Sequence, residues 1–389
     1  MQDFKESGIT ISGLIFNSLK LLIVGLLLFG NTFTKINVAG PLFLYDTLLI
    51  LLAFIAALTL KRVTEKRMLL FLILSLFYLA FSFVFNDAFI YVIRQYMIVG
   101  YLLLTYFIFQ SIVGKTEALV SFIFTLSKWS FILQIVYSVY ILTKGNSLFG
   151  DFNYLSPISV MLLPIYAARV ITHTQNTTFK GMQLVFILFL STTLGHSSAF
   201  LAVSITIFGF FVFKINRKQL IIALSIIAIV LVSFYLFLPQ FRDANASWRL
   251  FYWGKAIEKT AESYFLGNGF GVPFINEKEI YDMVVVFGDD NDLLDSPKEK
   301  YIKAYHNSFI TLFYHMGICI LLLAAPFIKS FRYLKSKQKN PMITFLVLGL
   351  LGSSTWCFFN VILELPHSSI LCWLLFLLTS HYLKTRTAV

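Results

Sequence analysis

The sequence predicts an all-α polytopic membrane protein with about twelve transmembrane helices. Its 389 residues are 58% hydrophobic and only 13% charged, and the mean hydropathy is +0.80. Soluble domains contain roughly twice that charged fraction. Apolar runs of about 20 residues recur along the whole chain, and each is long enough to cross a hydrocarbon core roughly 30 Å thick.

The predicted spans follow these apolar runs in order. Residues 182–193 and 198–213 belong to one long apolar stretch that the segment STTLGHSSAF (191–200) interrupts, and they fit either a broken helix pair or a re-entrant turn. The chain divides into spans one to nine (1–238), a large extracytoplasmic loop with short helices (239–305), and spans ten to twelve with a tail (306–389). The twelve spans are 12–30, 41–60, 68–85, 88–113, 118–142, 157–172, 182–193, 198–213, 219–238, 306–328, 342–360 and 366–382.

The basic residues orient these spans. With the N-terminus in the cytoplasm, the inside segments contain seventeen lysines and arginines, whereas the short outside loops contain only Lys35 and Lys144. Short cytoplasmic loops are enriched in basic residues. This asymmetry predicts that both termini are cytoplasmic and that the tenth span begins at the outer face. It also accounts for most of the formal net charge of +12, so we expect no nucleic-acid partner.

The cysteines exclude two other classes of protein. Cys319, Cys357 and Cys372 all lie inside apolar runs. They give neither a disulfide framework nor the spacing of a metal site. We therefore expect no metal and no cofactor.

In this orientation the polar residues near the membrane gather at the outer side. Ionisable groups within spans are costly and usually face a cavity or a partner. The bias therefore predicts a polar cavity that opens outward, although Asp46 and Arg94 fit a purely structural ion pair equally well. The residues concerned are Asp46, Arg94, Asp151, Asn153, His196, Arg242, Arg249, Glu364 and His367.

The large loop contains an amphipathic segment and a glycine-rich segment. SWRLFYWGKAIEKTAESYF (247–265) places apolar residues at three- and four-residue spacings, which predicts a helix on the membrane surface with Arg249 near its first turn. Gly267, Gly269 and Gly271 follow, and they allow either close backbone approach to a ligand or a flexible turn. The acidic stretch 288–300 is expected to be a solvated lid or hairpin.

The tenth span opens with the sequence YHNSFITLFYHMGI (305–318). His306 and Asn307 stand where the large loop enters the membrane, and a histidine there is suited to act as a general base. His315 lies nine residues after His306, nearly on the opposite face of a helix. We expect His315 to pack against a neighbouring helix.

Together these segments resemble the O-antigen ligase/polymerase superfamily, whose members are multispan enzymes that handle undecaprenyl-diphosphate-linked glycans. The resemblance covers roughly residues 90–382. The motifs that carry it are Arg249 followed by Trp253 and Ala256, the alternating glycines, the acidic loop, the His306–Asn307 pair with Gly317, the segment GDFNYLSP (150–157) and the closing segment NVILELPHSSILCWLLF (360–376).

The resemblance implies a metal-independent glycosyltransferase in a bacterial inner membrane, with its active site on the periplasmic side. We expect Arg249 to bind the diphosphate and His306 to act as the base or to position the acceptor. Asn307 would orient the imidazole or bind sugar. Further substrate contacts are predicted at Arg94, Arg242, His196, Asn153, Gly267, Gly269 and Gly271.

The chain departs from the family pattern at two positions. Ser197 stands where an arginine is expected, so His196 or Arg94 would have to take over a second diphosphate contact. Ile320 replaces a small or polar residue typical of ligases, which favours a polymerase.

Three functions therefore remain open at this point. The first is a polymerase that joins lipid-linked repeat units of O antigen or another surface polysaccharide. The second is a ligase that transfers the glycan to lipid A–core, and the third is a lipid-linked oligosaccharide flippase. The expected partners are an undecaprenyl-diphosphate-linked donor, a glycan acceptor, membrane lipid and a chain-length regulator.

Overall fold

A computed structural model describes residues 10–39, 42–60, 66–149, 153–212, 245–287, 299–302, 304–336 and 339–386, together with isolated positions between 213 and 244. The helices of the first part are α1 (Ile11–Lys35), α2 (Leu44–Leu58), α3 (Lys66–Phe85), α4 (Phe89–Ser111), α5 (Thr116–Thr143), α6 (Pro157–His173), α7 (Thr177–Thr192) and α8 (Ser197–Phe211). Those of the second part are α9 (Asn245–Glu262), α10 (Glu277–Phe287), α11 (Glu299–Ile302), α12 (Ser308–Met316), α13 (Ala324–Lys335), α14 (Pro341–Phe359) and α15 (Pro366–Arg386).

Short irregular elements join these helices. Segments of 3-10 helix, Val113–Lys115 and Gly317–Leu323, precede α5 and α13. A small antiparallel ribbon, β1 (Asn37–Ala39) with β2 (Leu42–Phe43), connects α1 to α2. This short ribbon is the only sheet among the described residues, and the architecture is consistent with the predicted all-α membrane protein.

The helices show a membrane protein. Six segments are long and apolar enough to cross a membrane: Ile11–Gly30, Lys66–Phe85, Phe89–Ser111, Val113–Thr143, Ser308–Lys335 and Pro341–Phe359. Four shorter apolar helices are α2, α6, α7 and α8. Each predicted span coincides with a helix except 306–328, which is interrupted as described below, and 219–238, which lies almost entirely outside the described residues. The side chains of Phe77, Phe81 and Phe85 on α3 are 68%, 65% and 66% exposed, as expected of a face that meets lipid.

The core of the bundle is built around α6 and α14. Helix α6 is buried continuously from Ile158 to Ala168 and packs against α5, α8 and α14, while α14 also packs against α8 and α15. A Cβ atom on Gly352 of α14 would lie 2.6 Å from the Cβ atom of Pro164, so the glycine permits α6 and α14 to approach closely. Small residues serve this purpose at helix interfaces in membranes.

The tenth predicted span is not one continuous helix. Helix α12 ends at Gly317, which adopts φ +52°, and the chain continues as 3-10 helix before α13 begins. The segment Phe265–Gly271, which we call the glycine loop, lies against this break. Two amides of the loop donate to α12: Asn268 N–H to Tyr314 O (2.8 Å) and Gly269 N–H to His315 O (3.0 Å). In the opposite direction, the N–H group of Ile318 donates to Phe265 O (2.9 Å).

The glycine loop therefore reaches about 13 Å along α12 from the start of that helix. It is also held by α3 and α4, because Phe270 N–H donates to Ser82 Oγ (2.8 Å) and Gly271 N–H donates to Gln95 Oε1 (2.7 Å). Irregular backbone is tolerated at membrane depth only where protein satisfies its polar groups. The backbone polar groups of the glycine loop and of the break after α12 therefore form hydrogen bonds with each other.

Gly317 is the residue at which this packing leaves no space. A Cβ atom there would overlap Phe265 O, and the positive φ adds strain for any other residue. We expect Gly317→Ala to lower the free energy of unfolding by more than about 2 kcal/mol. Gly254→Ala in α9 meets no atom within 4 Å and is the matched control, with a change near zero or slightly stabilising. Thermal unfolding of both purified variants in detergent measures the difference, and equal melting temperatures would contradict the interpretation.

Candidate functional site

The candidate site lies at the end of the bundle where α12 begins, which we call the site end. Asn307 is the N-cap residue of α12 and is fully buried. Its Oδ1 atom accepts hydrogen bonds from Phe309 N–H and Ile310 N–H, both at 3.0 Å. This is the capping role for which asparagine is preferred. Its Nδ2 atom is buried and makes no hydrogen bond among the described residues.

His306 is held in a strained backbone conformation directly before this cap. Its φ is +49°, a region that residues other than glycine rarely adopt. Its imidazole ring lies edge-on against the indole of Trp248, with ring centroids 5.2 Å apart. Strained residues of this kind cluster at functional sites. The residue is half-buried.

Helix α9 brings Arg249 to the same place. The predicted amphipathic helix is confirmed, but its buried face, formed by Tyr252, Ala256 and Thr260, packs against protein. Trp253 Nε1–H donates to the backbone O of Tyr305 (2.7 Å), next to His306. Arg249 follows Trp248 directly in α9, and its Nε atom is buried without a hydrogen-bond partner.

The far end of α9 is fixed by an ion pair. Lys259 Nζ lies 2.6 Å from Glu279 Oε2, and it also donates to the backbone O of Phe274 (3.0 Å). Both charged side chains are mostly buried. The pair and the glycine loop anchor the C-terminal half of α9, so the N-terminal half, with Arg249, has a defined position over α12.

A buried carboxyl group, Glu364, joins the site from the turn between α14 and α15. Ser308 Oγ, next to Asn307, accepts from the amides of residues 362 and 363. The single proton of the Ser308 hydroxyl group can then be donated to one acceptor. Glu364 Oε2 is the nearer candidate, at 2.6 Å, and Asn360 O lies at 3.1 Å. The other carboxyl oxygen, Oε1, is buried without a partner. Burial raises the pKa of Glu364 to about 7, although the Ser308 hydrogen bond lowers it.

Sequence analysis placed Glu364 at the outer side but did not assign it to the site. The residue is separated from Ser308 by 56 positions in the chain. The sequence feature that could have identified it is its position as a single acidic residue between two spans. An ionisable group at such a place needs a partner.

His196 lies at the start of α8 on the other side of this network. Its ring stacks on Tyr154, with centroids 5.6 Å apart, and meets the edge of Trp356 at 5.4 Å. Asn360 Nδ2 donates to Ser198 Oγ (2.8 Å), and Asn360 O faces Ser308. The structure thus connects the beginning of α8 to the beginning of α12.

The remaining predicted site residues are placed differently. Asn153 uses its Nδ2 group to donate to the backbone O of Ser147 (2.9 Å) and of Leu148 (3.0 Å), so it organises the loop before α6. Arg94 is exposed on α4. Asp46 accepts from Tyr101 Oη (2.8 Å) and Phe43 N–H (3.1 Å), and no ion pair joins it to Arg94. The structural-pair interpretation is therefore wrong. Arg242, Asp151 and most of the acidic stretch 288–300 lie outside the described residues.

The alternating glycines serve packing in this structure. All of the amides from Asn268 to Gly271 donate to protein groups, as described above. A Cβ atom on Gly267 would lie 2.6 Å from His315 O. Direct contact of these glycines with substrate stays a prediction, and the observed arrangement assigns them to the close approach of loop and helix instead.

His315 has the packing role that its helical position predicts. It is completely buried, and its Nδ1 atom lies 2.6 Å from the carbonyl oxygen of Gly269. Since a carbonyl only accepts, Nδ1 must be the protonated nitrogen. The ring also packs against Phe270 and Phe274. The packing role is confirmed, although the residues that contact His315 belong to the loop before α10 and not to another helix.

Across the part of the chain that the structure describes, no group of three or more His, Cys, Asp or Glu side chains could hold a metal ion. No protein-family model and no curated protein matches this chain. The function is therefore inferred from the chemical groups at the site end. They are the guanidinium of Arg249, the imidazole of His306, the amide of Asn307 and the carboxyl group of Glu364.

The raised pKa of Glu364 predicts a pH-dependent stability. The folded protein retains this proton up to about pH 7, whereas the unfolded chain releases it near 4.5, so stability falls as pH rises between those values. We expect Glu364→Gln to gain roughly 2 kcal/mol relative to the unsubstituted protein between pH 5 and pH 8. Unfolding free energies or melting temperatures across that range measure the effect.

Glu258→Gln is the matched control for this experiment. The hydrogen bond from Lys255 lowers the pKa of Glu258, so this exposed carboxylate stays ionised throughout the range. The difference between this variant and the unsubstituted protein should therefore not depend on pH. If the stability of Glu364→Gln depended on pH in the same way as that of the control, Glu364 would be ionised in the folded protein, and the prediction would be wrong.

Proposed function

We propose that this chain is a glycosyltransferase that polymerises lipid-linked repeat units of a bacterial surface polysaccharide. The observation that supports this most directly is the pair of buried donors without partners, Arg249 Nε and Asn307 Nδ2, each next in the chain to one member of the Trp248–His306 contact. Leaving a buried polar group unsatisfied costs about 1–3 kcal/mol. Such groups are arranged for a polar ligand that occupies the site during function.

The proposed donor is a glycan on undecaprenyl diphosphate. Its diphosphate is a good leaving group, so transfer needs no nucleotide. Arg249 would bind the diphosphate oxygens, because a guanidinium group matches phosphate geometry with two parallel hydrogen bonds. Residues Arg94, Arg242 and His196 are proposed to contribute further contacts to this large substrate.

The proposed reaction exchanges one C–O bond for another. An acceptor hydroxyl oxygen on a second lipid-linked unit attacks the anomeric carbon of the donor glycan. The bond from that carbon to the diphosphate breaks, and undecaprenyl diphosphate leaves with the bonding electrons. His306 takes the proton of the hydroxyl group as general base. Asn307 and Glu364 lie where they would orient the acceptor and the imidazole.

The proposed topology has twelve spans, cytoplasmic termini and the site end at the periplasmic face of the inner membrane. The asymmetry of basic residues supports this orientation. The acceptor decides between polymerase and ligase. Ile320, at a position where ligases have a small or polar residue, favours the polymerase, and a chain-length regulator is the partner expected for that activity.

Purified protein supplied with synthetic lipid-linked repeat units tests the activity. A polymerase yields a ladder of products without any lipid A–core, whereas transfer only to added lipid A–core would identify a ligase. Absence of glycosyl transfer to either acceptor would contradict both.

Two substitutions test the residue roles in the same assay. His306→Asn removes the imidazole but tolerates a positive φ, so the backbone is preserved, and we expect turnover to fall by about 10²- to 10⁴-fold. Arg249→Lys retains the positive charge but loses the paired N–H donors of the guanidinium group. Its turnover should fall less than that of Arg249→Ala. Lys255→Gln removes a positive charge from the exposed face of the same helix and should retain full turnover. Full turnover in both His306→Asn and Arg249→Ala would refute the assignment.

A further inference from the structure

A polar cavity lies at the end of the bundle opposite the site end. Its volume is about 250 Å³ and it is lined by residues of α5, α6, α7 and the connection between the last two. None of the residues around it is acidic, whereas Lys128 and Arg169 are basic. The lining residues are Lys128, Tyr166, Arg169, Val170, His173, Thr174 and Gln183. Arg169 belongs to none of the sequence motifs described above.

Arg169 is held in place without a carboxylate. Its Nη1 group donates to the backbone O of Phe124 (2.6 Å), and its guanidinium carbon lies 3.9 Å from the centroid of the Phe124 ring. Both ion pairs found among the described residues are in α9 and α10, so neither neutralises Arg169 or Lys128. Two cations beside one cavity, with no counter-charge, favour an anion as its ligand.

The cavity is recessed from the end of α5. The ring of His173, the last residue of α6, contacts the ring of Phe124 at 4.3 Å, so α6 ends level with a residue eight positions into α5. That corresponds to about 12 Å along the helix axis. Helices α6 and α7 have 17 and 16 residues, or about 26 and 24 Å, less than the roughly 30 Å of a bilayer core. Short helices with basic ends draw lipid headgroups inward.

The wall of the cavity continues into an apolar surface. Tyr166 stacks on Phe131, with centroids 4.3 Å apart, and Phe131 meets the edge of Phe186 at 5.9 Å. Phe186, Met182 and Val185 on α7 are exposed. A ligand that combines an anionic head with an apolar chain would match the cavity and this surface together, whereas a soluble anion would match only the cavity.

We propose that this cavity binds the phosphate headgroup of an anionic glycerophospholipid. The Arg169 guanidinium and the Lys128 ammonium group bind the phosphate oxygens. Gln183, whose Oε1 atom accepts from Thr174 Oγ1 (3.3 Å), donates from its amide group to the glycerol and ester oxygens, and an acyl chain lies along α7. The site is separate from the candidate glycosyl-transfer site, and its ligand stabilises the short helices α6 and α7 in the membrane.

Native mass spectrometry of the full chain in detergent tests the proposal, with phosphatidylglycerol and phosphatidylcholine titrated separately. We expect the unsubstituted protein to retain phosphatidylglycerol in preference. Lys128→Gln, on an exposed side chain that folding does not require, and Arg169→Gln should each weaken retention by roughly tenfold. Lys144→Gln removes the same charge from the other end of the α5 region and should leave retention unchanged.

Melting temperatures of the same samples separate a binding defect from a folding defect. Phosphatidylglycerol should raise the melting temperature of the unsubstituted protein and of Lys144→Gln, and have less effect on the two cavity variants. Equal retention by Lys128→Gln and the unsubstituted protein would overturn the proposal, and so would no preference between the two lipids. Displacement of the lipid by millimolar inorganic phosphate would overturn the lipid assignment in favour of a soluble anion.

Discussion

The structure depends on the mutual hydrogen bonding of two stretches of irregular backbone inside the bundle. Helix α12 stops at Gly317, and the last carbonyl groups of a helix have no partner within it. In an apolar environment those groups must be satisfied by protein. The glycine loop provides the N–H groups, and it can approach only because Gly267 and Gly317 have no side chains. The end of α9 is thereby fixed relative to α12.

This constraint determines the geometry of the candidate site. Helix α9 is anchored at its C-terminal end by the glycine loop and by the Lys259–Glu279 pair. Its N-terminal turn then lies over the start of α12, where Trp248 meets His306. Arg249 and His306 are 57 positions apart in the chain, yet both belong to the site end because of contacts made elsewhere. A rigid support of this kind is what a catalytic arrangement requires.

Three residues at the site end have polar atoms that are buried without a protein partner. Asn307 is satisfied only through its oxygen, and one atom each of Arg249 and Glu364 makes no hydrogen bond. Single buried atoms without partners also occur elsewhere among the described residues, for example Nε2 of His315 and Oγ of Ser353. Those at the site end belong to a guanidinium, an amide and a carboxyl group, which together can bind a polar ligand.

Several features follow from the sequence alone because they depend on local properties. Hydropathy locates the helices, since the length and apolar character of a run decide whether it can cross a bilayer. The start of the tenth span at His306 follows from the beginning of its apolar run, and the packing role of His315 follows from the angle between residues on a helix. These predictions required no knowledge of neighbours distant in the chain.

Only the tertiary structure decided which distant residues meet. The hydrogen bond between Ser308 and Glu364, the docking of the glycine loop on α12 and the cavity beside Arg169 all join segments far apart in the chain. The break at Gly317 was also unpredictable, because the apolar run continues through it without interruption. Sequence determined which segments are apolar and which polar residues lie at their ends. The partners of its buried polar groups were decided by packing, because a hydrogen bond depends on the positions of two atoms and a sequence pattern specifies neither.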